Sequence, residues 1–355
     1  MGKVPADSLT RAEMILRSGL RFLLLLLASY GLFYFSYKYY VPIRADFYEY
    51  YPMYQRPLDF GAAGSPFIYR QVSALVTHAI YAAGLYYPHD IAFADSQIDQ
   101  RMFFAALLAN YLGLVLAGAF AGSVGERETG SFTSSLIAGF LCLLSFHSQT
   151  AVIAGMTDGI SWAFVAALYL FYVQRRRVPF AVLIALAIFQ REVIPLAFAL
   201  IAAFALVLRS GDRRFNLYVL VCSALAFAAY LALRLYILPI PGNEYQVSFS
   251  TIISSLVAPY AVSLRAVILQ GFVSQNVAFI AIASELWLWL RRRTLSREFL
   301  VVILAFAAIA ALALADGIGV NVGRVAGMLS PVFAAIAAIS LYRLERPAEA
   351  ASQPA

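Results

Sequence analysis

The chain has 355 residues, of which 62% are hydrophobic and only 13% charged. A soluble globular domain is about half apolar and about a quarter charged, so this chain cannot dress a surface for water and the bilayer is its expected solvent. The net charge of +7 belongs with basic loops that set membrane orientation, not with nucleic acid, because no basic stripe lies on a soluble domain.

Lys3, Arg11, Arg17 and Arg21 precede FLLLLLASYGLFYF, which runs on into SYKYYV without a small-residue cleavage site. This is the pattern of a retained signal anchor that becomes the first span. Spans need about 20 apolar residues in a helix, since backbone groups must be satisfied internally in lipid. Apolar runs at 19–41, 101–122, 132–147, 151–174, 178–190, 193–208, 215–238, 272–290, 298–315 and 325–342 predict an all-α, polytopic bundle of about ten spans. The expected organisation is a single transmembrane domain over 1–343, with a disordered cytoplasmic tail at 344–355. Segment 42–100 is the first outer loop and 239–271 a later one. The apolar segments 66–87 and 250–271 hold Arg70 and His78, and Pro259 and Arg265, respectively. They are expected to lie at the interface or re-enter, although 66–87 could also span.

The short runs 178–190 and 193–208 are separated by Gln190, Arg191 and Glu192. A hairpin keeps every basic cluster on one side, whereas a single merged span would move RSGDRR outside; the positive-inside rule favours the hairpin. With both termini cytoplasmic, 17 of the 26 Lys and Arg residues then face the cytoplasm, QRRR and LRRR among them.

Nine basic residues stay on the other side, and eight of them are arginines: Arg44, Arg56, Arg70, Arg101, Arg191, Arg234, Arg265 and Arg324. Acids accompany them, including Asp46 and Glu49 in RADFYEYYP and Asp158 in GMTDGIS. Ionisable groups at membrane depth are costly, about 2.5–3.5 kcal/mol each on insertion scales. Asp158 is expected about two turns inside its span, Arg191 and Glu192 at the hairpin tip, and Arg234 one turn from the outer end of its helix. Pairs such as Arg191 with Asp158 serve equally well to lock helices together. The excess of arginine, whose planar fork binds phosphate at two points, points to a lipid-phosphate site. Tyr48, Tyr50, Tyr51 and Tyr54 read as an interfacial aromatic belt rather than a sugar platform. His78, His89 and His147 lack metal-ligand spacing and read as interface or packing residues, and Cys142 and Cys222 sit in apolar runs with no CxxC pair.

A first span followed by an Asp-bearing outer loop, RADFYEYYP, resembles the GT-C superfamily of membrane glycosyltransferases. So do the amphipathic PFIYRQVSALVTHAIYAAGLYY in that loop, the QRE of a helical hairpin, and the Arg of GVNVGRVAGMLSP before the last span. The chain departs from the family in having no adjacent Asp-Asp or Glu-Asp pair in the first loop. The resemblance implies transfer of a sugar from a polyprenyl-phosphate donor to a glycan or lipid acceptor at the non-cytoplasmic face. Asp46 would act as base at the acceptor hydroxyl, or bind a divalent metal there, with Glu49 as alternate. Some of Arg70, Arg191 and Arg324 would hold the donor phosphate, and the wider set of substrate- or phosphate-binding residues adds Arg44, Asp158, Glu192 and Arg234. The expected location is the inner membrane of a bacterial cell envelope, with the active site facing the periplasm or exterior. The alternative is a transporter or flippase using Asp158, Arg191, Glu192, Arg234 and Glu285 as a path. A polymerase or ligase acting on lipid diphosphates, and a purely structural subunit, are further readings.

Overall fold

The computed structural model describes residues 11–39, 45–65, 67–88, 98–145, 157–239, 275–293, 295–315 and 325–345. Every regular element among them is helical. In chain order these are α1 (Arg11–Tyr39), α2 (Ala45–Gln55), α3 (Gln71–Ala82), α4 (Gln100–Thr129), α5 (Phe132–Leu143), α6 (Asp158–Val173), α7 (Arg177–Ala187), α8 (Val193–Val207), α9 (Arg213–Ala232), α10 (Asn276–Arg292), α11 (Arg297–Ala315) and α12 (Ser330–Glu345). Each of the ten predicted apolar runs overlaps one of these helices. Four helical stretches are long and apolar enough to cross a membrane: Ala12–Lys38, Gln100–Thr129, Arg213–Ile237 and Gly327–Glu345. Helices α5, α6, α7 and α8 are apolar but shorter, as expected for α7 and α8.

Local chemistry sets many boundaries. Asp99, Ser131 and Asp212 cap α4, α5 and α9 by accepting backbone N–H groups of Arg101, Ser134 and Arg214, which satisfies donors the helices leave open. Gly130 ends α4 in the left-handed region at φ 69°. Arg175, Arg209 and Arg293 take the same conformation just past α6, α8 and α10. There a guanidinium complements the negative helix end, at the cost of a backbone conformation L-residues avoid.

Helix α4 is the axis, packing against α1, α3, α5, α6 and α12. Its pairing with α1 is antiparallel over the whole length. Tyr37 meets Phe104, Phe33 stacks on Tyr111, Leu25 faces Gly118, and Arg17 and Arg21 both pair with Glu126. Small residues bring α5 close on another face of α4: a Cβ on Gly118 would lie 3.1 Å from the Gly139 carbonyl oxygen, and one on Gly122 2.6 Å from that of Ser135. This is the small-residue packing that lipid-embedded helices use. Most of α1 and α9 instead presents apolar side chains outward, such as Leu23, Leu27, Leu217 and Leu225.

The bundle has two unlike ends. Arg17, Arg21, Arg175–Arg177, Arg209, Arg213, Arg291–Arg293, Arg297 and Arg343 share one end. There Arg297 donates to the Arg209 carbonyl at 3.4 Å and Tyr218 to that of Arg177 at 3.1 Å. Arg56, Arg70, Arg101, Arg191 and Arg234 lie at the other. Along α6 the two ends are about 20 Å apart.

The structure corrects several details. RADFYEYYP is not a loop throughout, since α2 begins at Ala45 and contains Pro52. The apolar segment 66–87 holds a 3-10 turn at Phe67–Tyr69 and the 12-residue α3, about 18 Å long and too short to cross alone. Asp158 is not two turns inside a helix but is the first residue of α6. Helix α12 continues through Glu345, past the expected start of the tail. Segment 250–271 and the rest of the tail lie outside the described residues.

Candidate functional site

At the end away from the basic clusters, four elements meet: α2, the N-terminus of α3, the N-terminus of α6, and the turn 188–192 between α7 and α8. Phe47, Tyr50 and Tyr54 form the inward face of α2, all fully buried. That corrects the belt reading for Tyr50 and Tyr54, whereas Tyr48 is exposed. The Tyr50 hydroxyl accepts from the Arg70 guanidinium and lies 3.5 Å from the Thr157 hydroxyl. Arg70 also rests against the rings of Tyr50 and Phe67, at 5.6 and 5.7 Å, an arrangement in which the ring quadrupole favours the cation.

Asp158 and Arg191 form a buried ion pair, each side chain 5% exposed. Asp158 opens α6, where the helix N-terminus further favours a carboxylate. Glu192 sits one residue on, 3.9 Å from Arg70. Its partial burial alone would raise its pKa, but the fields of Arg70, Arg191 and Arg234 outweigh this and hold it below the usual carboxylate value. Arg234 lies in the π-helical turn Leu233–Ile237 that closes α9.

Gln190 ties these pieces together, a role that its place in QRE does not announce. Its amide donates to the Thr157 carbonyl at 3.0 Å and to the Ser161 hydroxyl at 2.8 Å, and accepts from Ser73 at 2.9 Å. The Val72 N–H bonds the neighbouring Phe189 carbonyl. One side chain therefore fixes α3, α6 and the Arg191-bearing turn. Gln190→Leu is expected to destabilise the protein by about 1–3 kcal/mol, since it leaves buried polar partners unsatisfied. Thermal unfolding in detergent checks this, and an unchanged midpoint would show that the brace carries no strain of assembly.

Of the residues expected to act together, Arg70, Asp158, Arg191 and Glu192 are brought into one cluster, with Arg234 in its field. Glu49 is exposed on α2 and makes none of these contacts. Asp46 lies in the first turn of α2, one helical turn before Tyr50; Arg44 and Arg324 fall outside the described residues. His78 is a packing residue, its Nδ1 3.0 Å from the Tyr54 carbonyl oxygen. Glu285 belongs to the opposite end. Among the described residues no three acidic, His or Cys side chains converge on a point that could hold a metal ion.

The fold and this cluster define a helical protein with four helical stretches long and apolar enough to cross a membrane and a buried arginine–carboxylate constellation at one end. Comparison of the chain with protein-family models, curated proteins and solved structures finds no match.

Proposed function

We infer that the chain is an integral-membrane glycosyltransferase that takes a sugar from a polyprenyl-phosphate donor at the end opposite the basic clusters. The carrying observation is the convergence of Arg70, Arg191 and Glu192 beside α2, the helix that bears Asp46, with Tyr50 joining α2 to Arg70. Preorganised guanidiniums stabilise the phosphate anion as it leaves the anomeric carbon. Asp46 takes the acceptor hydroxyl proton as that oxygen attacks. One displacement inverts the anomeric carbon, and the proton ends on the carboxylate.

The middle of the bundle supports an enzyme over a transport path. Between Arg101 and Glu126 along α4, and between Asp158 and Arg175 along α6, no Asp, Glu, Lys or Arg intervenes, whereas a charged path would line the full depth. The test is Asp46→Asn in membranes supplied with labelled polyprenyl-phosphate sugar. Transfer is expected to fall by about 10²–10⁴-fold, the range for loss of a general base. Full activity in that variant would overturn the assignment.

A further inference from the structure

At the basic end the described residues enclose a cavity of about 300 Å³, roughly ten times the volume of one water and at the lower end of small-ligand sites. It opens between the C-terminal ends of α4, α6 and α12, the turn before α9, and the facing ends of α10 and α11. Charges of both signs line it: Glu128, Asp212, Glu285 and Glu298 against Arg175 and Arg343. Elsewhere acids and arginines that meet form pairs, as Arg17 and Arg21 do with Glu126, and Arg191 with Asp158. Among the described residues, none of these six makes an ion pair, and Asp212 is the cap of α9.

Glu128, Glu298 and Arg175 are exposed at the mouth, while Glu285 and Tyr169, 1% and 6% exposed, form the floor. The Glu285 carboxylate accepts from the Ser340 hydroxyl and, at 3.2 Å, from the Ser296 N–H. Its hydrogen-bonding capacity is thus used but its charge is not balanced, and a lone carboxylate at depth is costly. Tyr169 makes no hydrogen bond among the described residues. Its ring stacks on Tyr172 at 6.2 Å, which offers an apolar wall.

We propose that this cavity binds a small zwitterion, its primary ammonium inward on Glu285 and its acidic group outward on Arg343 and Arg175. A bare cation would meet the two arginines, and a bare anion the four carboxylates; a ligand carrying both charges satisfies both sets. A divalent metal does not fit, because no three acidic ligands converge among the described residues. The chemistry is that of an amino acid or a phosphoethanolamine group, free or as a lipid headgroup. The site is independent of the sugar-transfer reading, being at the other end of α6.

The test is thermal unfolding of the full chain in detergent with O-phosphoethanolamine, glycine, ethanolamine or inorganic phosphate, each at about 10 mM. At least one zwitterion is expected to raise the midpoint, while ethanolamine and phosphate do not. Glu285→Gln and Arg343→Gln are each expected to weaken that binding by about tenfold or more. Should Glu285→Gln fail to fold, Arg343→Gln carries the same reading. Native mass spectrometry from phosphatidylethanolamine micelles separates the sources: a retained lipid that phosphoethanolamine displaces marks a headgroup site, and binding of the soluble zwitterion with no retained lipid marks a free ligand. A shift with ethanolamine alone as large as with the zwitterions, or no shift with either zwitterion, overturns the proposal.

Discussion

Asp158→Ala is expected to lower stability in detergent by about 3–5 kcal/mol, because it strands the Arg191 guanidinium in the interior without its counter-charge. Arg191 is 5% exposed and its Nε has no partner among the described residues, so it cannot turn to water for compensation. Arg191→Ala should cost a similar amount by stranding the carboxylate. The double variant Asp158→Leu with Arg191→Met should lose far less, since replacing a buried pair by apolar groups of similar volume is often neutral. A double-mutant cycle by thermal or denaturant unfolding measures the difference, and simple additivity would show that the two residues do not hold each other. The apolar pair also separates the two roles considered for Arg191. A lock can be replaced by packing; a phosphate ligand cannot. The apolar variant is therefore expected to fold and to lose sugar transfer, and retained transfer would reduce the pair to a lock.

Gly159→Ala is expected to destabilise by about 3 kcal/mol, the upper end for overpacking, because the clash is with backbone and not with a side chain that can swing aside. A Cβ built on Gly159 would overlap the Asn110 carbonyl oxygen, and one on Gly113 would come within 2.6 Å of the Gly159 carbonyl carbon. The Gly159 N–H meanwhile bonds the Asn110 side chain at 2.5 Å. Helices α4 and α6 are thus pressed together at the point where Asp158 enters the cluster, and any separation would carry Asp158 away from Arg191. Gly31→Ala is the control. Nothing lies within 4 Å of a Cβ there, and alanine is the better helix former, so its unfolding midpoint should hold or rise. Equal midpoints for Gly159→Ala and wild type would mean that α4 and α6 are less closely packed than described.

The helices were legible because lipid demands long apolar runs, and composition alone announces that demand. The break at Gln190–Glu192 was legible too, since merging α7 and α8 would have scattered the basic clusters across both sides. Helix α2 was missed although its signal was present. Phe47, Tyr50 and Tyr54 follow a helical period and are buried, while Tyr48 and Glu49 are exposed. Pro52 and three charges nearby disguised it, and tyrosines near a span end suggest an interface before they suggest a core. For the same reason Tyr50 was not foreseen as a partner of Arg70. The cavity at the basic end was illegible for a different reason. Glu128, Glu285, Glu298 and Arg343 come from four distant helices; Glu128, Glu298 and Arg343 each read in isolation as a solvated charge at a helix end, and Glu285 as a lone charge in the inner part of its span. Only the packing of α4, α10, α11 and α12 shows that they share a wall.

The contact between α1 and α4 bears on the order in which the molecule can be built. Arg21 is 2% exposed and takes its counter-charge from Glu126, with Ala119 and Ser123 as further acceptors. All three are synthesised about a hundred residues later. Until then the nascent first helix carries an uncompensated guanidinium, which its long stem lets reach back to the headgroups. The Arg21 guanidinium therefore reaches its buried counter-charge only once α4 is packed against α1.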